Sequence, residues 1–257
     1  VFEPDMDDLS KLTLATDIYR RIFSTTSATS AATAQCSYIA SELLAFYPEM
    51  RIETLRGLII HSARWTDQMI KQFCNPNTKS IGRKKLLRTC GYGVPNLERA
   101  RDTLNNQVNM IIEDDIQPYR KHKSGAQFNE IQFHSLPWPD SVLESLGNLP
   151  VKVRVTLSYF IEPGPGQKGW KNKYRYPSCG LRFDMKRTSE NLEQFKSRIN
   201  SNSRDDDFQK NTSSNNQWFL GTVNRDVGSI HSDVWEDTAI NVSKSGVIAV
   251  YPVSGWW

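Results

Sequence analysis

The chain is short of several things that would have announced a function. It has four histidines and four cysteines in 257 residues. The cysteines, Cys36, Cys74, Cys90 and Cys179, form no CxxC pair, which argues against a zinc site. Their scatter fits a reducing compartment, so a cytoplasmic setting is expected. Cys36 reads as a small core residue, and a Cys74–Cys90 pairing stays open. No P-loop or dinucleotide-binding glycine motif occurs, which excludes the commonest nucleotide sites. No apolar run reaches the length of a membrane span. Charge of one sign is also missing: 32 basic residues face 28 acidic ones, leaving +4. That balance demands neither nucleic acid nor an anionic membrane as a partner.

What is present begins with hydroxyls. Ser24, Thr25, Thr26, Ser27 and Thr29 lead into Ser30 and a run of small residues. Ala32, Cys36, Ile39, Leu43 and Phe46 recur at three- and four-residue steps, which predicts a helix from Ser30 to Tyr47 with one apolar face. Pro48 ends it, because the residue before a proline is pushed out of the α region. Serine and threonine are ordinary N-cap residues. A serine at a helix start also has unpaired backbone N–H groups and a favourable dipole beside it. A nucleophilic Ser30 there has its own N–H available for a developing oxyanion. The pattern by itself leaves both roles open.

Three segments carry a resemblance. They are Thr29-Ser30-Ala31-Ala32 with its helix and Pro48, then Arg56-Gly57-Leu58-Ile59-Ile60-His61-Ser62-Ala63, then Gly91-Tyr92-Gly93-Val94-Pro95-Asn96. In order and spacing they resemble the C-terminal third of a subtilase, a subtilisin-like serine peptidase. The resemblance implies that Ser30, preferred to Ser27 by its distance to Pro48, is the catalytic nucleophile and an oxyanion donor through its backbone. It implies a protein or peptide substrate. Aspartate, histidine and the oxyanion asparagine precede the serine in that family, so all three would lie upstream of Val1. The upstream part of the same protein is then a required partner, and this chain alone is expected to be almost inert. Val1 at the start and Trp256-Trp257 at the end fit a fragment. Two departures stand out: Ala28 where the family has glycine, and Ala34 where it usually has proline.

The pattern changes after Val108. Val108–Ile112 and Gln127–His134 read as β-rich, and Val151–Phe160 is the clearest alternating strand. Leu181–Met185, Trp218–Gly221, Thr238–Val242 and Val247–Val253 read as further short strands. Glu190–Ile199 reads as an amphipathic helix, and 200–216 as a polar loop. The expected fold is therefore an α/β fragment, the C-terminal helical part of a subtilisin-like domain (1–108), followed by an all-β jelly-roll-like sandwich (109–257). Segments Arg154–Phe160, Tyr176–Asp184 and Val250–Trp257 resemble the β-sandwich of a bacterial, intracellular subtilase subgroup. Some of its members are associated with phage-defence loci.

Other constellations have simpler readings. His61 is the tempting base for Ser30. At roughly 1.5 Å per residue, an antiparallel second helix would leave it about 10 Å short of the serine. A general base needs hydrogen-bond reach, so a structural role is expected. His122, His134 and His231 have no spaced metal partner. Arg83, Lys84, Lys85 and Arg88 read as a solvated helix face. Glu3, Asp5, Asp7 and Asp8, like Asp205-Asp206-Asp207, read as solvated acids without EF-hand spacing. No metal or cofactor is expected for the chemistry, with calcium in the parent protein the alternative. Trp138, Trp170, Trp218, Trp235, Trp256 and Trp257 suit core packing better than a ligand platform. The rival functions are a pseudo-peptidase scaffold and a peptide- or carbohydrate-binding sandwich without catalysis.

Overall fold

A computed structural model describes residues 11–26, 28–74, 79–105, 109–122, 125–160, 180–204, 217–221, 224 and 228–253. It opens with an antiparallel hairpin, β1 (Lys11–Leu14) against β2 (Phe23–Thr26). The hairpin feeds α1 (Thr29–Phe46), whose end is set as the proline dictates: the Tyr47 N–H caps Leu43 O, and Pro48 follows. Four more helices succeed it: α2 (Ile52–Ser62), α3 (Asp67–Phe73), α4 (Lys79–Cys90) and α5 (Leu97–Asn105). Leu43, Leu55, Leu58 and Ala100 form the core where α1, α2 and α5 meet.

The Gly91–Gly93 turn ties α4 back to the end of α2. Arg64 and Val94 exchange both backbone hydrogen bonds, at 3.1 and 2.8 Å. Gly93 has φ +95°, and a Cβ there would lie 2.2 Å from Arg64 O. Only glycine fits such a position, for want of space as well as for φ.

Downstream lie β3 (Tyr119–His122) paired with β4 (Gly125–Phe128), then β5 (Gln132–Ser135), α6 (Asp140–Leu146) and β6 (Pro150–Ser158). They are followed by β7 (Gly180–Met185), α7 (Leu192–Arg204), β8 (Ile230–Thr238), α8 (Ala239–Lys244) and β9 (Val247–Val253). Strand β9 lies between β5 and β7, antiparallel to both. Strands β6 and β8 pair antiparallel along nine residues. The two sheets face each other across Phe183, Met185, Trp218, Trp235 and Ile248, with Val153, Val155 and Leu157 packed on the same cluster. Helix α7 covers the far side of the three-stranded sheet, placing Phe195 and Ile199 on Ala249, Tyr251 and Val253. Arg198 of α7 reaches Asp184 at 2.6 Å and Glu190 at 2.6 Å, pinning helix to strand. Asp184 is buried and also accepts from Trp218 Nε1 at 3.1 Å.

The other cover comes from the first half. Helix α2 lies across β6, where Gly57 leaves room for Ser158: a Cβ at Gly57 would sit 3.4 Å from Ser158 Cβ. Tyr92 Oη donates to Ile230 O at 2.9 Å, and Arg56 donates to Ser229 O. The order of layers is helix, two-stranded sheet, three-stranded sheet, helix.

Several expectations are corrected. The second half is mixed α/β, not all-β, and its described strands close no barrel. Residues 109–112 lie outside any strand and are exposed, and none of the described strands pairs with them. The run Gln127–His134 splits between β4 and β5, which belong to different sheets. Residues 239–242 are helical, and 218–221 keep only a bridge from Trp218 to Trp235. The loop at 163–166, Cys179, the Tyr176–Ser178 stretch and Asp205–Asp207 lie outside the described residues.

Candidate functional site

Ser30 is the second residue of α1 and is exposed. Ala28 is the N-cap, with φ −72° and ψ 157°, and no side chain among the described residues caps the helix. The Ala31 N–H bonds Ala28 O at 2.9 Å. The N–H groups of Thr29 and Ser30 come before the first intrahelical bond, where a helix leaves its donors unpaired. Extended backbone at Ala28 suits any residue, so alanine in place of glycine strains nothing there. Ala34 sits inside the helix, where alanine is far better tolerated than proline. Ser27 lies outside the described residues.

The flanks of this helix start are bare. Ala32, Thr33, Ala34, Gln35, Cys36 and Ser37 are all exposed, and Leu43 is the one buried residue of α1. Cys36 is therefore a free surface thiol rather than a core residue. Cys74 and Cys90 are also free. Thr33 Oγ1 donates to Thr29 O, and Ser37 Oγ to Thr33 O, each at 3.0 Å.

His61 is engaged elsewhere. Its Nδ1 shares a hydrogen bond with Thr156 Oγ1 at 2.9 Å, and Thr156 Oγ1 in turn shares one with Ser232 Oγ at 2.9 Å. Burial, then the nearby Arg154 and Arg64 charges, push its pKa down to about 4. The ring stays neutral in the fold and bonds α2 to β6. The other histidines are spread apart: His122 is exposed on β3, His134 half-buried on β5, and His231 buried on β8 against Tyr159. Among the described residues no group of three or more His, Cys, Asp or Glu side chains could hold a metal ion.

The aromatic and basic candidates mostly face inward or onto neighbours. Trp218 and Trp235 are fully buried and stack edge to face, and Trp138 packs partly buried beside them. Trp170, Trp256 and Trp257 lie outside the described residues. The Arg83 guanidinium lies 4.9 Å above the Phe219 ring, so the basic helix α4 also touches the second half.

Sequence reasoning passed over one grouping. Arg64, Arg99 and Arg154, from the end of α2, α5 and β6, come together beside His61. Burial, then Arg64, lower the Arg154 pKa to about 10; Asp233 opposes that shift and Arg99 adds to it. The one sequence signal was Arg154 on the polar phase of an otherwise alternating strand.

Comparison with known proteins bears on the first half. Residues 3–93 match the family model described as the subtilase family, a span that contains Ser30 and stops at Gly93. An uncharacterized protein, y4bN, of Sinorhizobium fredii (strain NBRC 101917 / NGR234) is 25% identical over 186 residues. Those residues are 72% of this chain and 38% of that protein, so the chain spans well under half of this relative's length. The matched stretch is longer than residues 1–108, so the likeness continues into the second half. No solved structure matches. No helix among the described residues is long and apolar enough to cross a membrane. The hairpin, the serine-bearing helix α1 and the helices up to the Gly93 turn thus lie in a segment similar to the subtilases, a family of serine peptidases.

Proposed function

We propose that the full-length parent of this chain is a subtilisin-like serine endopeptidase with Ser30 as its nucleophile. One observation carries the reading: Ser30 stands exposed at the start of α1, within the segment similar to subtilases. In the reaction, Ser30 Oγ attacks the scissile carbonyl and gives its proton to a histidine base. The Ser30 N–H and a second donor hold the oxyanion. The amine leaves with that proton, and water then releases the acyl group and regenerates the hydroxyl.

The base, its aspartate and the second donor belong to the upstream part of the protein in this reading. His61, neutral and bonded to Thr156, is spoken for. The bare flanks of α1, made of small residues, suit close packing against that upstream part. The facing sheets and the match extending past residue 108 support a sandwich domain of jelly-roll kind over 109–257, attached to the peptidase. The setting proposed is the bacterial cytoplasm. A pseudo-peptidase is the second reading, favoured by Ala28 and Ala34 standing where the family has glycine and proline.

The test compares the parent, its Ser30→Ala and Ser27→Ala variants, and the 257-residue chain. Peptide hydrolysis and fluorophosphonate labelling are followed. Ser30→Ala is expected to lose labelling and turnover by a factor on the order of 10⁶, while Ser27→Ala keeps both. The chain alone should show neither. An unlabelled, inactive parent favours the pseudo-peptidase, and a fully active Ser30→Ala parent removes Ser30 from the mechanism.

A further inference from the structure

We propose that the seam between α2, α5 and β6 binds a small phosphate-class oxyanion, held by Arg154 together with Arg64 and Arg99.

The placement follows from strand register. Val153, Val155 and Leu157 pack on the core between the sheets, so Arg154 and Thr156 point the other way, toward α2. The hydrogen bond from Thr156 to His61 confirms that direction. The last turn of α2 brings the other two arginines to the same place. Arg64 Nη1 donates to His61 O at 2.6 Å and to Ala63 O at 2.8 Å. Arg99 Nε donates to Ser62 O at 2.8 Å. Both guanidinium groups therefore rest on the carbonyl end of the helix, with N–H donors to spare, since each fork carries five.

Arg154 has no hydrogen bond or ion pair among the described residues. The acid that bears on it is Asp233, whose side chain follows the opposite phase of the paired strands. Asp233 is buried and accepts from the Leu220, Gly221 and Val234 N–H groups at 2.8 to 3.1 Å. Three like charges thus meet where the end of α2 lies on β6, and the carboxylate that bears on Arg154 is already engaged across the sheet. Desolvated charge without a counter-ion is costly. A multiply charged oxyanion offers several acceptors to three planar forks and offsets that cost, a match that a singly charged carboxylate makes less well.

The site is separate from Ser30 and does not depend on peptidase activity. The ligand is either free phosphate or a phosphoryl group on a larger molecule. The probes are inorganic phosphate, adenosine monophosphate, acetate and chloride at matched ionic strength and pH 7.5, applied to the 257-residue chain. Melting and isothermal titration are read. Phosphate should raise the melting temperature over chloride and bind with one-to-one stoichiometry. Tighter binding of adenosine monophosphate than phosphate assigns a carried phosphoryl group; the reverse assigns the free ion. Arg154→Gln should weaken phosphate binding at least about tenfold, a bidentate charge-assisted contact being worth more than 1.4 kcal/mol. Without phosphate it should melt at or above the wild type, because it removes an unbalanced charge. Arg154→Lys keeps the charge but not the fork, and should bind with intermediate affinity. A melting temperature equal in phosphate, acetate and chloride overturns the proposal. So does an Arg154→Gln protein that binds phosphate like the wild type, or one that melts lower by the same amount with and without phosphate.

Discussion

The first helix and the second half use apolar residues in opposite ways. Helix α1 has 18 residues and buries one of them fully, Leu43. Strand β7 has six and buries five. Yet α1 carries no charge before Glu42, and its small residues are those of a helix packed on all sides. The second half closes its core with its own strands and α7. The difference teaches that the two parts reach stability by different routes. One closes the core between its sheets by itself and takes α2 as cover on β6, and the other presents a helix that fits a cover.

That contrast can be tested, from the largest expected effect downward. Trp235→Ala empties the space between the sheets and should cost about 3–5 kcal/mol in denaturant melts. Leu43→Ala, at the one sealed point of α1, should cost about 2–5 kcal/mol. Equal small effects of both would mean that neither core is as closed as described. Lowering pH should bring a smaller loss. The unfolded histidine takes its proton near pH 6.5, whereas His61 in the fold resists until about 4. Its contribution is therefore complete above pH 6.5, falls between 6.5 and 4, and levels off below. The ceiling is about 3 kcal/mol. His61→Gln should flatten that part of the profile; an unchanged slope would place the titration elsewhere. Tyr38→Ala, on the bare side of α1, should change stability by less than about 0.5 kcal/mol in this chain. A much larger cost in the proposed full-length protein would locate the proposed cover there.

The sequence showed α1 and β6 almost to the residue. Helix α1 was legible because Pro48 marks its end, although Ala32, Cys36 and Phe46 of its apolar stripe are exposed. Strand β6 was legible because its inward phase of Val151, Val153, Val155 and Leu157 is undiluted by polar residues. Strand β8 went unread for the opposite reason. Its core-facing phase is His231, Asp233 and Trp235, and two of the three look solvent-bound until Asp233 is seen accepting three backbone N–H groups. Helix α8 was read as a strand because Ile240 and Val242 favour extended backbone locally. Packing of Ala239 and Val242 on Leu143 overrides that preference. Ser30 was legible as a helix-start serine. The Arg64, Arg99 and Arg154 grouping was not, since its members lie far apart in sequence and meet only through the lie of α2 on β6.

The short relay from His61 through Thr156 to Ser232 has a directional consequence. A hydroxyl has one hydrogen to give, so Thr156 cannot donate to both neighbours. When His61 Nδ1 is bare, Thr156 points its hydrogen at the ring and receives the one from Ser232. When Nδ1 carries hydrogen, Thr156 must turn its own hydrogen away from the ring, and its bond with Ser232 is free to run in either direction. The choice of tautomer on α2 therefore decides whether the orientation of a hydroxyl on β8, two strands into the other half, is fixed or free. Vibrational or nuclear-resonance signals of Ser232 should report the state of an imidazole that Ser232 never touches.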